Sequence, residues 1–356
     1  MSRPLVRGDV AVVILNWNGR TLLARFLPAV VAHSAGCRVV VADNASTDDS
    51  VAYVQQTFPE VEVVQLPRNL GYAGGYNAAL RQIDAPLYVL LNSDVEVTAG
   101  WVDPVLHLLN ERSHVAAVQP KLLDYQRRDH FEYAGAGGGH LDRLGYPFCR
   151  GRIFETVERD RGQYDDVAEV FWASGACMFV RAGAFRAAGG FDEGFFAHME
   201  EIDLCWRLKR LGASIFYQGE SVVYHVGGGT LTRGNPRKTF LNFRNSLLML
   251  LKNLPAREVL PVVLLRMVLD APAAGKFLAD GMPRDAWAVL RAHADFYKKI
   301  PRYLSARRGT FGRRTGRSSD GRYPGSIVWA YWAGGFRRYA ELSGKYPTRR
   351  LRAEER

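Results

Sequence analysis

The sequence predicts an α/β chain: a doubly wound sheet followed by a basic helical region. Three observations predict it. Short continuous apolar runs alternate with helical patterns over the first hundred residues. Asn or Asp closes the first, second and fourth of those runs. Charge also divides the 356 residues: 246–356 carry 22 Lys+Arg against 9 Asp+Glu, a net of +13, and the preceding part carries 25 against 27, a net of −2.

The first run, "VAVVILNWNG" (10–19), is apolar on both parities and ends in turn residues, the pattern of a buried parallel strand. "TLLARFLPAVVAH" (21–33) follows with helical spacing. "CRVVVADNAS" (37–46) is a second buried strand, and "TDDSVAYVQQTF" (47–58) a helix with an N-cap and an acidic first turn. "VEVVQL" (61–66) is a third strand, "GYAGGYNAALRQI" (71–83) a loop leading into a helix, and "PLYVLLNSD" (86–94) a fourth strand. Strands joined through helices lie parallel with right-handed crossovers, and ligands collect outside their carboxyl ends. Asn16, Asp43 and Asp94 therefore belong to one crevice.

Residues 120–170 read as loops and strands covering that crevice. "VFWASGACMFVRAGAFRAAGGF" (170–191) returns to strand and helix, and 213–230 carry one or two strands and a Gly-rich loop. The expected division is 1–245 as the catalytic domain, 246–308 as amphipathic helices, and 309–356 as a basic linker and a final amphipathic helix. The four cysteines form no CxxC pair, which argues against a zinc ribbon or redox motif. No signal peptide is visible, and no run reaches 18 uncharged apolar residues; Pro261 and Arg266 cut the nearest candidate, 259–269.

Five elements carry chemistry. Asp43 can accept hydrogen bonds from a pyrimidine base or ribose; an N-cap or Asx turn explains Asp43 and Asn44 equally well. "LPRNLGYAGGYNAAL", with Asn69 and Gly71, allows close backbone approach to a ligand, although its spacing is not that of a dinucleotide fingerprint. "YVLLNSDVEV" ends in Asn92-Ser93-Asp94, where a carboxylate can hold a hard divalent cation or serve as a turn residue. His225 ends a strand before Gly227, Gly228 and Gly229, a sequence able to form an anion nest, with Arg233, Arg237 and Lys238 near enough to neutralise phosphates.

The fifth element is "HMEEIDLCWRL" (198–208). As a helix it places Leu204, Cys205, Leu208 and Leu211 on one face. Glu200, Asp203, Arg207 and Arg210 fall opposite and read as a solvated face with an i,i+4 pair. Glu201 sits in the middle of the apolar stripe, where an unpaired carboxylate is costly in a core but useful as a general base lining a cleft.

In this order the motifs resemble family 2 glycosyltransferases of the GT-A fold, in particular rhamnosyltransferase-like bacterial members. The residues carrying the resemblance are "VVILNWNG", "VADNASTDDS", "NLGYAGGYNAAL", "LLNSDVEV", "GACMFVRAGAFRAAGGFDEGFFAHMEEIDLCWRL" and "VYHVGGGT", spanning roughly 8–245. The resemblance implies a nucleotide-diphosphate sugar donor bound at the strand ends, with Asn16, Asp43, Asn69, Gly71 and Asn92 around the nucleotide. It implies Asp94 and His225 as ligands of Mg²⁺ or Mn²⁺, and Gly227, Gly228, Gly229 and Arg233 at the phosphates. Glu201 matches the catalytic base, with Glu200 as its alternate. Asn92 replaces the first acid of the metal motif, and Glu stands where many relatives carry Asp.

The implied reaction is inverting transfer to a glycan or lipid-linked acceptor. The basic apolar segments 245–281 and 326–342 suit either a membrane interface or packing on the catalytic domain. An anionic membrane is the expected partner rather than nucleic acid, which places the chain peripherally on the cytoplasmic face. Two other classes remain: a nucleotidyltransferase, which would need a basic Gly-rich loop after the first strand, and a non-catalytic binder using the basic tail.

Overall fold

The computed structural model describes residues 3–227, 235–311 and 321–343. β1 (Val10–Asn16), α1 (Arg20–His33), β2 (Arg38–Asp43), α2 (Ser50–Thr57), β3 (Glu62–Gln65), α3 (Gly71–Leu80) and β4 (Leu87–Asn92) alternate as the apolar pattern predicts. β5 (Val95–Val97), α4 (Asp103–Glu111) and β6 (Val115–Asp124) follow. Four short strands, β7 (Gly139–Leu141), β8 (Pro147–Cys149), β9 (Arg152–Ile153) and β10 (Thr156–Val157), form a separate small sheet. β11 (Val167–Val170), β12 (Cys177–Arg181), α5 (Ala182–Ala187), α6 (Glu200–Arg210) and β13 (Ser214–His225) return the chain to the main sheet.

That sheet has nine strands in the order β11-β13-β6-β12-β4-β1-β2-β3, with β5 on β13. It is parallel from β4 through β3 and mixed beyond, because β12 runs antiparallel between β4 and β6. Parallel register sets Asn16 beside Asp43 and Leu15 beside Asn92, so the polar strand ends share one edge. Alternate residues face opposite covers. Val10, Val12 and Ile14 pack with Leu23 and Leu27 of α1, whereas Ala11 and Val13 pack with Tyr76 and Ala79 of α3. Both faces are buried, which is why these strands read as unbroken apolar runs.

The helical region consists of α7 (Pro236–Asn253), α8 (Ala256–Ala279), α9 (Pro283–Phe311), α10 (Ile327–Trp332) and α11 (Tyr339–Ser343). α7 crosses residue 245, and its 244–253 stretch is buried against the sheet domain and α9. α8 runs unbroken through Pro261 and Pro272, both on its exposed side, where a missing backbone donor leaves a solvated carbonyl. The 326–342 segment is two short helices separated at Gly334-Gly335.

Two expectations are corrected. Residues 71–83 do not begin as a loop: α3 starts at Gly71, with φ +70°. Glu200, Asp203, Arg207 and Arg210 are not a solvated face, and each is at most 6% exposed. For Asp203, and through it Arg207, the reason is α7, which brings polar partners to that side of α6. Lys252 Nζ donates to Asp203 Oδ2 at 2.9 Å and Asn253 Nδ2 to Oδ1 at 2.7 Å, while Arg207 Nε donates to Oδ2 at 2.8 Å.

Candidate active site

The strand ends hold a fixed polar frame. Asn16 is fully buried; its Nδ2 donates to Asp43 Oδ1 at 3.1 Å and Ser46 Oγ at 3.2 Å, while its Oδ1 has no hydrogen-bond partner. Asp43 Oδ2 accepts from the Ser46 amide at 2.9 Å. A Cβ on Gly19 would sit 2.3 Å from Asn16 Oδ1, so glycine is required there. Asn44 accepts from Leu70 N at 3.0 Å and donates to Gly71 O at 3.0 Å and Asn69 Oδ1 at 3.2 Å. Asn69 in turn accepts from Gly71 N at 2.8 Å. The Asn44–Asn69 pair thus shapes the left-handed turn that starts α3. A Cβ at Gly71 would meet the Phe196 ring and carbonyl at 2.6 Å.

At the end of β13, His225 is buried between two carboxylates. Its Nε2 lies 3.2 Å from Asp94 Oδ1 and its Nδ1 lies 3.3 Å from Glu132 Oε1. Burial alone would lower the imidazole pKa, but Glu132 and Asp94 override it and raise it to about 10. Asn92 Nδ2 is 3.4 Å from the same Nε2. Two ligands at right angles and about 2.1 Å from one cation lie about 3 Å apart, so Asp94 Oδ1 and His225 Nε2 fit as neighbouring ligands. Glu132 on the other ring nitrogen is the orienting partner such histidines have. Among the described residues no group of three or more His, Cys, Asp and Glu is arranged to hold a metal.

The third part is the N-terminus of α6. Phe196, His198 and Met199 all have positive φ, 65°, 69° and 71°. Such backbone is costly and persists only when its surroundings impose it. Asn245 of α7 imposes it: its Nδ2 donates to the carbonyls of Phe195, Ala197 and His198 at 3.0, 2.9 and 2.7 Å. The loop turns the first residues of α6 under Tyr72, whose hydroxyl donates to Gly175 O at 2.6 Å.

Glu200 is 4% exposed and its Oε2 has no hydrogen-bond partner; burial and then the neighbouring Glu201 push its pKa well above the carboxylate range. Glu201 is partly exposed, its Oε2 also has no hydrogen-bond partner, and burial raises its pKa to about 7 while amides at the helix start pull it back. A carboxyl whose pKa lies near 7 is suited to exchanging a proton with substrate. Glu200, whose Oε2 is likewise without a hydrogen-bond partner, stays the alternate.

The structure brings Asn16, Asp43, Asn69 and Gly71 into one frame, and Asn92, Asp94 and His225 into one cluster. Gly227 follows His225 with φ +72°. Gly228, Gly229 and Arg233 lie outside the described residues. Sequence reading did not find Glu132 or Asn245. Neither sits in a distinctive pattern: one is in irregular chain, the other in an apolar helix.

The sequence profile of the family described as "Glycosyl transferase family 2" matches residues 11–185. The N-acetylglucosaminyl-diphospho-decaprenol L-rhamnosyltransferase of Mycobacterium tuberculosis is 30% identical over 237 residues, 62% of this chain and 76% of that protein. Among solved structures, S. aureus TarS 1-349 in complex with UDP-GlcNAc aligns with a TM-score of 0.54 at 16% identity, covering 85% of this chain and 87% of the other. GalNAc-T7 with UDP, GalNAc and Mn²⁺ aligns with a TM-score of 0.53 at 14% identity, covering 68% and 47%.

Proposed function

The chain belongs to glycosyl transferase family 2, and from that premise we propose that it inverts the anomeric carbon of a dTDP-activated sugar, L-rhamnose, while passing it to a prenyl-diphosphate-linked glycan. The observation that carries this reading is Glu201: a partly exposed residue at the start of α6 whose buried Oε2 has no hydrogen-bond partner and whose pKa burial raises to about 7. The choice of sugar and acceptor draws on the name of the mycobacterial relative.

Glu201 takes the proton of the acceptor hydroxyl as its oxygen forms a bond to C1. The C1–O bond to the donor breaks in the same step, and its electron pair leaves with the nucleoside diphosphate. Opposite-face attack inverts C1. Asp43 and the Asn16 and Asn69 frame receive the nucleoside, and Gly227 with the following glycines and Arg233 receives the phosphates. Asp94 and His225 would hold a divalent cation, whose chemistry is to offset charge on the leaving diphosphate.

Peripheral membrane attachment on the cytoplasmic face is part of this reading. No described helix is long and apolar enough to cross a membrane. α8 instead exposes Leu260, Leu264, Leu265 and Val268, 68, 52, 42 and 66% accessible, on the side away from buried Val263, Arg266 and Asp270. Arg257 and Lys276 flank that apolar stripe, the pattern of a helix lying in an anionic interface.

The test is release of nucleoside diphosphate from UDP-, GDP- and dTDP-sugars with farnesyl-diphospho-N-acetylglucosamine as acceptor, in Mn²⁺, Mg²⁺ or EDTA. Turnover of dTDP-rhamnose that is lost in Glu201→Gln while donor binding persists supports the reading. Turnover preserved in that variant removes Glu201 as the base, and turnover preserved in EDTA removes the cation.

A further inference from the structure

A cleft of about 520 Å³ opens beside Phe196 between the first turns of α7 and α9. Four guanidinium groups line it: Arg237 and Arg244 from α7, Arg284 and Arg291 from α9. Phe240 and Trp287 form its apolar wall. The Phe240 ring lies 5.1 Å from the Arg244 guanidinium and 5.6 Å from that of Arg291. Arg244 is 8% exposed, donates to the carbonyls of Gly194 and Phe195 at 3.1 Å each, and meets Asp295 at 3.3 Å.

Of the nearby carboxylates, one is turned to a threonine and the other pairs with Arg244 of the cleft itself. Asp285 accepts from Thr239 Oγ1 at 2.5 Å, and Asp295 is shared between Arg244 and Lys299. The helices also run parallel: Thr239 meets Asp285, Arg244 meets Asp295, and Leu251 O accepts from Arg307. Both N-termini therefore point the same way, and each adds about half a positive charge at the cleft. Arg244 is already held by Asp295 and by backbone carbonyls, which leaves Arg237, Arg284 and Arg291, with two helix starts and aromatic walls, to favour an anion with several oxygens and an apolar tail.

Position indicates which anion. Phe196 separates the cleft from the Gly71 turn of the donor frame, and five residues further along the chain is Glu201. Phe277 near the end of α8 packs on Phe243 of α7, with ring centroids 6.4 Å apart, so the exposed stripe of α8 belongs to the same helical unit. We propose that this cleft binds the diphosphate of a prenyl-diphosphate-linked acceptor and thereby presents the acceptor sugar to Glu201. The assignment rests on the proposed function for the identity of the acceptor, but the binding can be tested without turnover.

Calorimetry on the full chain, with farnesyl diphosphate, farnesyl monophosphate and dTDP as separate probes, is the experiment. The wild type is expected to bind farnesyl diphosphate at least tenfold more tightly than the monophosphate. The double variant R284A/R291A, at two exposed positions, is expected to lose at least tenfold in that affinity, and R284K/R291K to recover part of it; dTDP affinity should stay within twofold in both. Unchanged farnesyl diphosphate affinity in R284A/R291A overturns the proposal, as does equal binding of the monophosphate. Parallel loss of dTDP affinity also overturns it, because the cleft would then hold the donor. If the transferase reading itself is wrong, no sugar nucleotide is turned over, whatever these titrations give.

Discussion

Replacing Glu201 by Gln should raise stability and nearly abolish turnover, a combination that a structural carboxylate would not give. Burial raises this carboxyl from an ordinary 4.5 to about 7. Its unfolded form ionises near 4.5, so folding at higher pH confines a charge that water would stabilise better. Nothing is lost below pH 4.5, where both states are protonated. The penalty grows as pH rises from 4.5 and is complete above 7, where both states are ionised. At about 1.4 kcal/mol per pH unit, that gap amounts to about 3 kcal/mol. Gln keeps the shape without the charge, so Glu201→Gln should gain about 3 kcal/mol at pH 8 and under about 1 kcal/mol at pH 5. Loss of a general base costs roughly 10²–10⁴ in rate. Urea unfolding of both proteins at pH 5 and 8, beside nucleoside diphosphate release at pH 8, measures both effects. A variant less stable than wild type at pH 8, or equally displaced at both pH values, would refute the argument that this carboxylate is held at a cost for catalysis.

The remaining predictions concern the supports of the same site. The rate should rise with pH up to about 7 and level off above, as Glu201 loses its proton; a flat profile from pH 5.5 to 8 assigns the base elsewhere. Asp203→Ala leaves Arg207 and Lys252 buried without their shared carboxylate and should cost about 3–5 kcal/mol in urea unfolding. Burial would raise the Asp203 pKa, but Arg207 and Lys252 bring it down to about 2. Its stabilisation is therefore present above pH 3.8 and lost as pH falls through 2, and the Asp203→Ala deficit should shrink over that range. Asn245→Ala removes the donor to three carbonyls of the loop before α6, and should lower both kcat and unfolding free energy, the latter by about 2–3 kcal/mol; an unchanged kcat would mean that the loop holds its shape without it. Gly71→Ala pushes a Cβ into Phe196 at a positive φ and should weaken dTDP binding at least tenfold by calorimetry.

The alternation of β1 through β4 was legible because strands buried on both faces leave unbroken apolar runs, and because turn chemistry punctuates them. The same runs ended in Asn16, Asp43 and Asn92, so parallel pairing alone was enough to gather those side chains at one edge. The unusual position of Glu201 was also visible, since helical periodicity compares a residue with its own neighbours.

Periodicity within α6 could not show what covers the opposite side. Asp203 and Arg207 look solvated in sequence and are buried because Lys252 and Asn253 arrive about fifty residues later on α7. Glu132 beside His225, and Asn245 beneath the left-handed loop, acquire roles only through chain crossings that leave no local pattern. The sequence by itself determined the sheet and its chemical edge, because both depend on local alternation and strand direction. Only the tertiary structure decided which charges are buried, what pairs with them, and where four arginines from two helices meet, because such pairings are chosen by contacts between segments distant along the chain.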